Sequence, residues 1–317
     1  MTQSYSPQPD QNILAGDPEP GSMQAVPPSG AVRVWQCRDK QIPLSPEPVI
    51  MGVVNVTPDS FSDGGRYLDP SRAINQALQM LHEGAHIIDI GGESSRPGAA
   101  SVAADEQIRR VLPVIEGILT KKPDAIISID TTSSIVAQNA IKAGVSIIND
   151  ISGLTQDTNM SALARETHAG VVIMHMQGTP ENMQNDPNYK NCVADILEWL
   201  QARVTALTAA GIDPDCIAID PGIGFGKKLA HNLEILHGLA HFTSIGAPIL
   251  VGASRKRFIG MVGNVESPSD RLPGSLAALT CAVLQGASIL RVHDVPESLQ
   301  AARIATAIRE PARWKHL

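Results

Sequence analysis

The chain has 317 residues, of which 43% are apolar and 18% are charged, so it is long enough to bury a large core. Its 25 Lys and Arg residues against 32 Asp and Glu residues give a formal net charge of −7, which argues against sequence-independent binding to nucleic acid or anionic lipid. Aromatic residues are only 3%, too few for a base-stacking platform. Any anionic ligand must therefore meet a local group of cations.

The N-terminal residues and the cysteines bear on the location of the protein. Residues 1–30 are rich in Pro, Gln, Ser and Gly, and we predict that they form a disordered tail. The first 32 residues lack the Lys or Arg of a signal peptide, and no stretch reaches the roughly 18 to 20 apolar residues of a membrane span. The four cysteines form no C-x-x-C pair, which predicts reduced thiols in a cytoplasm rather than a zinc or redox site.

A repeating pattern of strands and helices follows the tail. Residues 31–42 predict a short strand pair, and from Val49 onward an apolar, often β-branched run, a turn and a helical stretch recur eight times. The predicted strands are 49–56, 86–92, 125–131, 146–151, 170–175, 217–222, 248–254 and 288–294. The predicted helices are 71–83, 104–120, 133–143, 158–169, 189–210, 231–240, 272–285 and 297–310.

This alternation predicts the fold class. Continuous apolar strands separated by helices indicate a parallel sheet, and eight units in about 265 residues match a closed (β/α)8 barrel. An open doubly wound sheet is the alternative, but the first turn, VNVTPDSFSDGG, lacks the G-x-G-x-x-G pattern of dinucleotide folds. No change in composition divides the chain. We therefore predict one α/β domain, a (β/α)8 TIM barrel over residues 31–317 that includes the short N-terminal strand pair.

Polar residues lie at the end of every predicted strand. Because the loops that follow barrel strands converge on one face, these residues are candidates for a functional site. They are Asn55, Asp89 with Glu93, Asp130, Asn149, His175, Asp220, Ser254 with Arg255 and Lys256, and Arg291 with His293. Asp, Asn and Ser also form helix caps and turns, and this is the role that we expect for Asp150 and Asp294.

One group among these residues is rich in hydrogen-bond acceptors. Asp130, Asn149 and Asp220 directly follow large apolar residues, where the alternation of side chains directs them into the barrel or to its rim. Buried acceptors need partners. The group therefore suits a ligand with a row of N–H donors, such as the amino-pyrimidinone edge of a pterin or guanine.

A second group is basic. Arg291 and His293 lie two residues apart on one strand and face the same side, while Arg96 and Asn55 lie on neighbouring strand-end loops. This group suits phosphate. A competing interpretation is an ion pair of Arg291 with Glu93 or Asp89.

Other catalytic templates fit poorly. The stretch GIGFGKK (222–228) imitates a Walker A loop, but its glycine spacing is one residue short and no Ser or Thr follows the first Lys. His175 is expected to be a core histidine. Because no cluster of metal ligands occurs, a metal is expected only as Mg²⁺ on a phosphate, held by one protein oxygen such as that of Asn55.

Eight segments, in order along the chain, closely resemble the dihydropteroate synthases, the pterin-binding enzymes of folate biosynthesis that sulfonamides target. The segments are MGVVNVTPDSFSDGG (51–65), IIDIGGESSRPGA (87–99), ISIDT (127–131), IINDISG (147–153), MHMQGTP (174–180), DPGIGFGK (220–227), GASRKRFIG (252–260) and RVHDV (291–295). The resemblance covers residues 48–310. It implies a (β/α)8 barrel, a homodimer, and transfer of a dihydropterinylmethyl group from its pyrophosphate ester to 4-aminobenzoate by ionisation of the C–O bond.

The resemblance also implies roles for individual residues. The pterin is expected to contact Asp130, Asn149, Asp220 and Lys256. The pyrophosphate is expected to contact Arg96, Arg291, His293 and, through Mg²⁺, Asn55. The aminobenzoate pocket is expected to consist of Phe61, Ser95, Pro97, Phe225, Ser254 and the stem of Lys256. Ser95 stands where the family usually has Thr, which keeps the hydroxyl and removes a methyl group.

Two other functions compete with this one. A methyltetrahydrofolate-dependent methyltransferase has a similar pterin-binding barrel, but it does not need the phosphate-binding residues Asn55, Arg291 and His293. A catalytically silent pterin-binding protein is the alternative from a different class. Since no expected position is missing, the synthase is the better interpretation.

Overall fold

The computed structural model describes residues 33–57, 69–94 and 98–315. The predicted disordered tail, residues 1–30, lies outside the described residues, so it stays a prediction. The predicted strand pair is confirmed: β1 (Val34–Cys37) and β2 (Lys40–Pro43) pair antiparallel.

Eight parallel strands form the centre of the molecule. They are β3 (Val49–Asn55), β4 (Ile87–Gly91), β5 (Ile126–Asp130), β6 (Ile147–Asp150), β7 (Gly170–Met174), β8 (Ile217–Asp220), β9 (Leu250–Val251) and β10 (Ile289–Val292). Their order is β8-β7-β6-β5-β4-β3-β10-β9. Ile219 forms a parallel bridge with Ile249, and its amide donates to the carbonyl of Pro248 at 2.8 Å. This bridge joins the two ends of the order, and the predicted barrel is confirmed.

Helices connect the strands. They are α1 (Pro70–His82), α2 (Ala104–Lys121), α3 (Ser134–Lys142), α4 (Met160–Thr167), α5 (Cys192–Ala209), α6 (Leu229–His237), α7 (Arg257–Gly263), α8 (Leu272–Leu284) and α9 (Val295–Arg309). Short 3-10 helices occur at Pro214–Cys216, Leu239–Ile245, Pro268–Arg271 and Pro311–Trp314. All eight predicted helices are confirmed. The sequence prediction missed α7, since its seven residues contain two glycines and give little helical signal.

Polar side chains fix several helix starts and turns. Asp69 accepts from the amide of Ser71 at 2.9 Å and begins α1, and Asn191 accepts from the amide of Ala194 at 3.1 Å and begins α5. Asp150 accepts from the amide of Ser152 at 2.7 Å, so its predicted role as a turn former is confirmed.

The cap predicted at Asp294 is wrong. Asp294 directly precedes α9, but its side chain makes no capping hydrogen bond. Its Oδ2 instead accepts from Nε of Arg255 at 3.0 Å, in an ion pair that includes a second contact through Nη2. Spacing along the chain does not indicate this pair, because 39 residues separate the partners.

The strand pair β1–β2 covers the end of the barrel at which the parallel strands begin. Trp35 is fully buried among inward-facing residues from the first half of the strands, including Val49, Ile147 and Ile289. Its indole Nε1 donates to the carbonyl of Cys216, just before β8, at 2.9 Å. Because this end is filled by apolar side chains, the opposite, carboxyl end of the strands is left for a functional site.

Trp35→Ala is expected to lower the free energy of unfolding by about 3–5 kcal/mol, because it removes a large buried side chain and leaves an indole-sized cavity. Urea denaturation at equilibrium measures this loss. Trp314→Ala is the matched control: that side chain is 53% exposed, so the expected change is within about 0.5 kcal/mol. A similar loss in both variants would contradict the role assigned to β1–β2.

Among the described residues, none of the helices combines the length and the apolar composition that a membrane-spanning segment requires.

Candidate functional site

The inward-facing positions of the strands change from apolar to polar towards the carboxyl ends. Asp130 ends β5 and lies opposite Asn149 of β6 in the register of the sheet. Asp220 ends β8, and Arg291 lies in β10, opposite Met51 of β3. The predicted acceptor group and the predicted basic residue Arg291 therefore share the interior of one end of the barrel.

Arg291 connects three strands through its guanidinium. Its Nε donates to Oδ2 of Asp89 at 2.7 Å, and its Nη2 donates to Oδ2 of Asp130 at 2.8 Å. The side-chain nitrogen Nδ2 of Asn149 donates to the same Asp89 oxygen at 3.0 Å. Asp89 is fully buried. It accepts hydrogen bonds from Asn149, which is expected to bind pterin, and from Arg291, which is expected to bind phosphate.

The sequence offered an ion pair of Arg291 with Asp89 or Glu93 as the alternative to phosphate binding. The pair with Asp89 is present, and the pair with Glu93 is not. Glu93 accepts from the amide of Val102 at 2.8 Å and from the side chain of Gln107 at 3.0 Å, so it fixes the loop between β4 and α2. The pair with Asp89 leaves other N–H groups of the Arg291 guanidinium available, since arginine carries donors on three nitrogens.

Burial shifts the protonation equilibria of the site. Burial raises the pKa of Asp130, and the guanidinium of Arg291 opposes this rise. Burial also raises the pKa of Asp220, opposed by the amide of Gly222, which donates to Oδ1 at 2.7 Å. Burial and the nearby Arg291 lower the pKa of Lys256 to about 8. The site is thus a set of charges of both signs held close together and largely shielded from water.

Lys256 and Ser254 each contact another predicted site residue. Nζ of Lys256 lies 3.9 Å from the centroid of the Phe225 ring, a cation–π contact. The Oγ of Ser254 lies 3.0 Å from Nδ1 of His293. Burial, together with the charges of Arg291 and Arg255, lowers the pKa of His293 to about 4, so its imidazole is neutral at pH 7.

The backbone explains how Ser254 and Lys256 can both reach the site. Arg255 between them has a φ of 58°, in the left-handed region. Its side chain is held outside by Asp294, and its amide donates to Oγ of Ser275 at 2.9 Å.

Asn55 lies at the end of β3, beside the same group. A Cβ atom at Gly91 would be 3.5 Å from Oδ1 of Asn55 and 3.6 Å from Cβ of Asp130, so the absence of a side chain at Gly91 leaves space between them. Four predicted site residues lie outside the described residues: Phe61, Ser95, Arg96 and Pro97. The structure brings together all the others.

The donor set at Asn55 fits a magnesium ion that arrives with a ligand. Within residues 33–57, 69–94 and 98–315, no group of three or more His, Cys, Asp or Glu side chains could hold a metal ion. Mg²⁺ often takes only one or two protein oxygens and completes its coordination with phosphate oxygens and water. The single amide oxygen of Asn55 at this rim is compatible with that mode of binding.

Sequence reasoning overlooked Lys227. The residue is 3% exposed, and its Nζ contacts the carbonyls of His175 and Phe225 at 3.1 and 2.9 Å. His175 itself is buried against Lys227, Tyr189 and Trp199, which confirms the prediction of a core histidine. The segment GIGFGKK could have indicated that Lys227 is buried, because glycines in a loop indicate close approach of another backbone.

The chain is similar to known proteins over most of its length. The family model described as "Pterin binding enzyme" matches residues 51–293. The dihydropteroate synthase of Escherichia coli K12 is 45% identical over 260 residues, which cover 82% of this chain and 91% of the relative.

Solved structures show the same fold. The dihydropteroate synthase of Xanthomonas albilineans with 4-aminobenzoic acid aligns with a TM-score of 0.82 and 39% identity, over 88% of this chain and 99% of that one. The Yersinia pestis dihydropteroate synthase in a sulfonamide drug complex aligns with a TM-score of 0.81 and 42% identity, over 87% and 99% of the two chains. With identities of this level over most of its length, the chain belongs to the dihydropteroate synthase family of pterin binding enzymes.

Proposed function

We propose that the protein is a dihydropteroate synthase, which joins 6-hydroxymethyl-7,8-dihydropterin pyrophosphate to 4-aminobenzoate and releases pyrophosphate. The observation that carries this proposal is the hydrogen-bonded group at the carboxyl end of the barrel, where Arg291 links Asp130 to Asp89 and Asn149. Structures of the Xanthomonas albilineans relative with 4-aminobenzoic acid and with 7,8-dihydropteroate support the same substrates and product here.

The pterin is bound by Asp130, Asn149, Asp220 and Lys256. The nitrogen of the Asn149 amide donates to Asp89, so its oxygen remains an acceptor for an N–H of the ligand. Asp220 is held in position by the amide of Gly222 and offers a carboxylate to the amino-pyrimidinone edge.

The pyrophosphate is bound by Asn55, Arg96, Arg291 and His293, with Mg²⁺ as the cofactor. When bound, Mg²⁺ would neutralise negative charge that develops on the leaving pyrophosphate. The remaining N–H groups of Arg291 are planar donors suited to phosphate oxygens. The imidazole of His293 offers a hydrogen bond at the same rim, oriented by Ser254.

The aminobenzoate pocket is formed by Phe61, Ser95, Pro97, Phe225, Ser254 and the stem of Lys256. The contact between the Lys256 ammonium and the Phe225 ring supports this assignment, because it places a cation over one face of an aromatic wall. A cation beside an aromatic wall suits the ring and the carboxylate of aminobenzoate.

The reaction begins with cleavage of the C–O bond, whose electron pair leaves with pyrophosphate. The ring nitrogens of the pterin stabilise the cation that forms at the methylene. The carboxylates of Asp130 and Asp220, whose ionised forms are favoured by hydrogen bonds from Arg291 and from the amide of Gly222, add negative potential near it. The amine of 4-aminobenzoate then forms the C–N bond and loses a proton to water. The protonated aniline is a strong acid, so the site needs no dedicated base, and orientation and leaving-group stabilisation supply the rate enhancement.

We further propose that the protein is a homodimer in the cytoplasm. All four cysteines are free thiols, which supports a reducing compartment. Large exposed apolar side chains occur on α7 and α9, and a second copy of the chain would cover side chains of this kind; they are Met261, Val262, Ile304 and Ile308.

Purified protein with Mg²⁺ and both substrates is expected to produce dihydropteroate and pyrophosphate in equal amounts, and chelation of the metal is expected to lower the rate. A coupled pyrophosphate assay, with chromatography of the pteroate product, measures both. Absence of product under conditions in which a control synthase turns over would contradict the enzyme and favour a silent pterin-binding protein. Methyl transfer from methyltetrahydrofolate would instead favour the methyltransferase.

A further inference from the structure

The loop after β8 contains a buried lysine that the proposed mechanism does not use. Lys227 is 3% exposed, and its Nζ lies 3.2 Å from Nδ1 of His175, 3.1 Å from the carbonyl of His175 and 2.9 Å from the carbonyl of Phe225. The three acceptors match the three N–H donors of the ammonium form, which the charge of Asp220 favours although burial lowers the pKa of Lys227 to about 7. Burial lowers the pKa of His175 to about 3, so its ring is neutral and can accept.

The two loops that Lys227 joins are in close contact. A Cβ atom at Gly222 would lie 2.1 Å from the carbonyl oxygen of His175, and one at Gly226 would lie 2.7 Å from the carbonyl oxygen of Gln177. Both glycines have positive φ, 74° and 58°. The glycines of GIGFGKK therefore let the backbone after β8 pack against the backbone after β7, rather than surround a phosphate.

Phe225 is the residue that this junction holds. Its carbonyl accepts from Lys227, and its side chain packs with Met174 and Met183. Nζ of Lys256 lies over its ring. Two other carbonyls of the same loop are bound nearer the surface, Gly224 by Gln184 and Gly226 by Tyr189. The contact through Lys227 is the buried member of this set and the one made directly to Phe225.

We propose that Lys227 is a positioning residue, which fixes the Phe225 wall of the aminobenzoate pocket by holding the loops after β7 and β8 together. The inference rests on the proposed function, since it assigns Phe225 to that pocket. Lys227 does not touch substrate. It affects the binding of the second substrate, 4-aminobenzoate, by setting the position and orientation of the Phe225 ring.

Lys227→Met is expected to raise the KM for 4-aminobenzoate about tenfold or more, the effect of losing hydrogen bonds to a charged group. The KM for the pterin pyrophosphate is expected to change less, within about threefold, because Lys227 acts on Asp220 through charge and not through a hydrogen bond. Lys228→Met is the matched control, because this neighbour lies at the surface in an ion pair with Asp186 at 2.7 Å. Equal KM values in the two variants would overturn the proposal.

A double-mutant cycle with Phe225→Ala separates positioning from general damage. If Lys227 acts through the Phe225 ring, Lys227→Met is expected to change the KM for 4-aminobenzoate much less when the ring is already absent. Multiplicative effects of the two substitutions would overturn the proposal. Should Lys227→Met fail to fold, Gly226→Ala replaces it: a Cβ there displaces the same junction against Gln177, and the same selective rise in KM is expected.

Limited proteolysis tests the junction without turnover. Cleavage within 175–191 or 221–228 is expected to be faster in Lys227→Met than in Lys228→Met, because the buried link between the loops is lost. If the wild-type enzyme turns over and neither KM nor cleavage distinguishes the variants, the role of Lys227 is refuted while the synthase stands. If wild type does not turn over, the synthase fails and the positioning role fails with it, even where cleavage supports the junction.

Discussion

Asp220→Asn is expected to weaken binding of a pterin by about 100-fold or more. The carboxylate of Asp220 is buried at the end of β8, and Gly222 fixes its orientation. In the proposed complex it accepts two N–H groups of the pterin edge, and hydrogen bonds to a charged group contribute about 1.5–3 kcal/mol each. An amide can accept only one of these and places its own N–H against the other donor. Titration calorimetry with a pterin that lacks phosphates measures the loss.

Asp215→Asn is the matched control. Asp215 lies just before β8, at the opposite end of the barrel, and is exposed. Its substitution removes the same charge five residues away along the chain and is expected to leave pterin affinity within about twofold, since exposed charges act weakly over such distances in salt. Equal loss of affinity in the two variants would mean that net charge, and not the contact at Asp220, governs binding.

Much of the fold follows from the sequence because each unit carries a local signal. The apolar run before Asp130 predicts a strand, and a polar residue at its end predicts a turn, whatever the rest of the chain does. The site is predictable for a related reason: in a parallel barrel all strand ends meet, so Asp130, Asn149 and Asp220 converge without knowledge of any contact. The roles assigned to them still rest on resemblance and stay predictions.

The contacts that the sequence left undecided or missed join residues far apart in the chain. The Arg291–Asp89 pair spans 202 residues, and the Lys227–His175 contact spans 52. Spacing left the choice between Asp89 and Glu93 open, and the turn geometry of the β4–α2 connection decided it, because Glu93 is taken by Val102 and Gln107. Likewise, the comparison of GIGFGKK with a Walker motif did not indicate that Lys227 binds backbone carbonyls.

The position of Arg291 between two carboxylates also changes what its loss should do. If it acted on pyrophosphate alone, its substitution would spare binding of a pterin that lacks phosphates. The structure ties it to Asp130 at 2.8 Å and to Asp89, which in turn holds Asn149. Substitution of Arg291 is therefore expected to weaken pterin binding as well as phosphate binding.

Arg291→Met is expected to lower the free energy of unfolding by about 3–5 kcal/mol near pH 8, because it leaves the buried carboxylate of Asp89 and the partly buried carboxylate of Asp130 without their cation. Arg303→Met is the matched control. Its ion pair with Glu47 lies at the surface, with side chains 59% and 44% exposed, and such pairs contribute at most about 1 kcal/mol. Urea denaturation of both variants measures the difference, and equal losses would contradict the structural role of Arg291.

The loss in Arg291→Met is expected to be smaller at pH 5 than at pH 8. Burial raises the pKa of Asp130, and Arg291 opposes that rise, so its removal lifts the pKa further above the unfolded value of about 3.9. An acid whose pKa is higher in the folded state binds more protons there, and stability falls as pH rises from the unfolded pKa to the folded one. At pH 5 protonation relieves the unpaired carboxylate, and at pH 8 it does not. A loss independent of pH would show that Arg291 stabilises the barrel through packing rather than through charge.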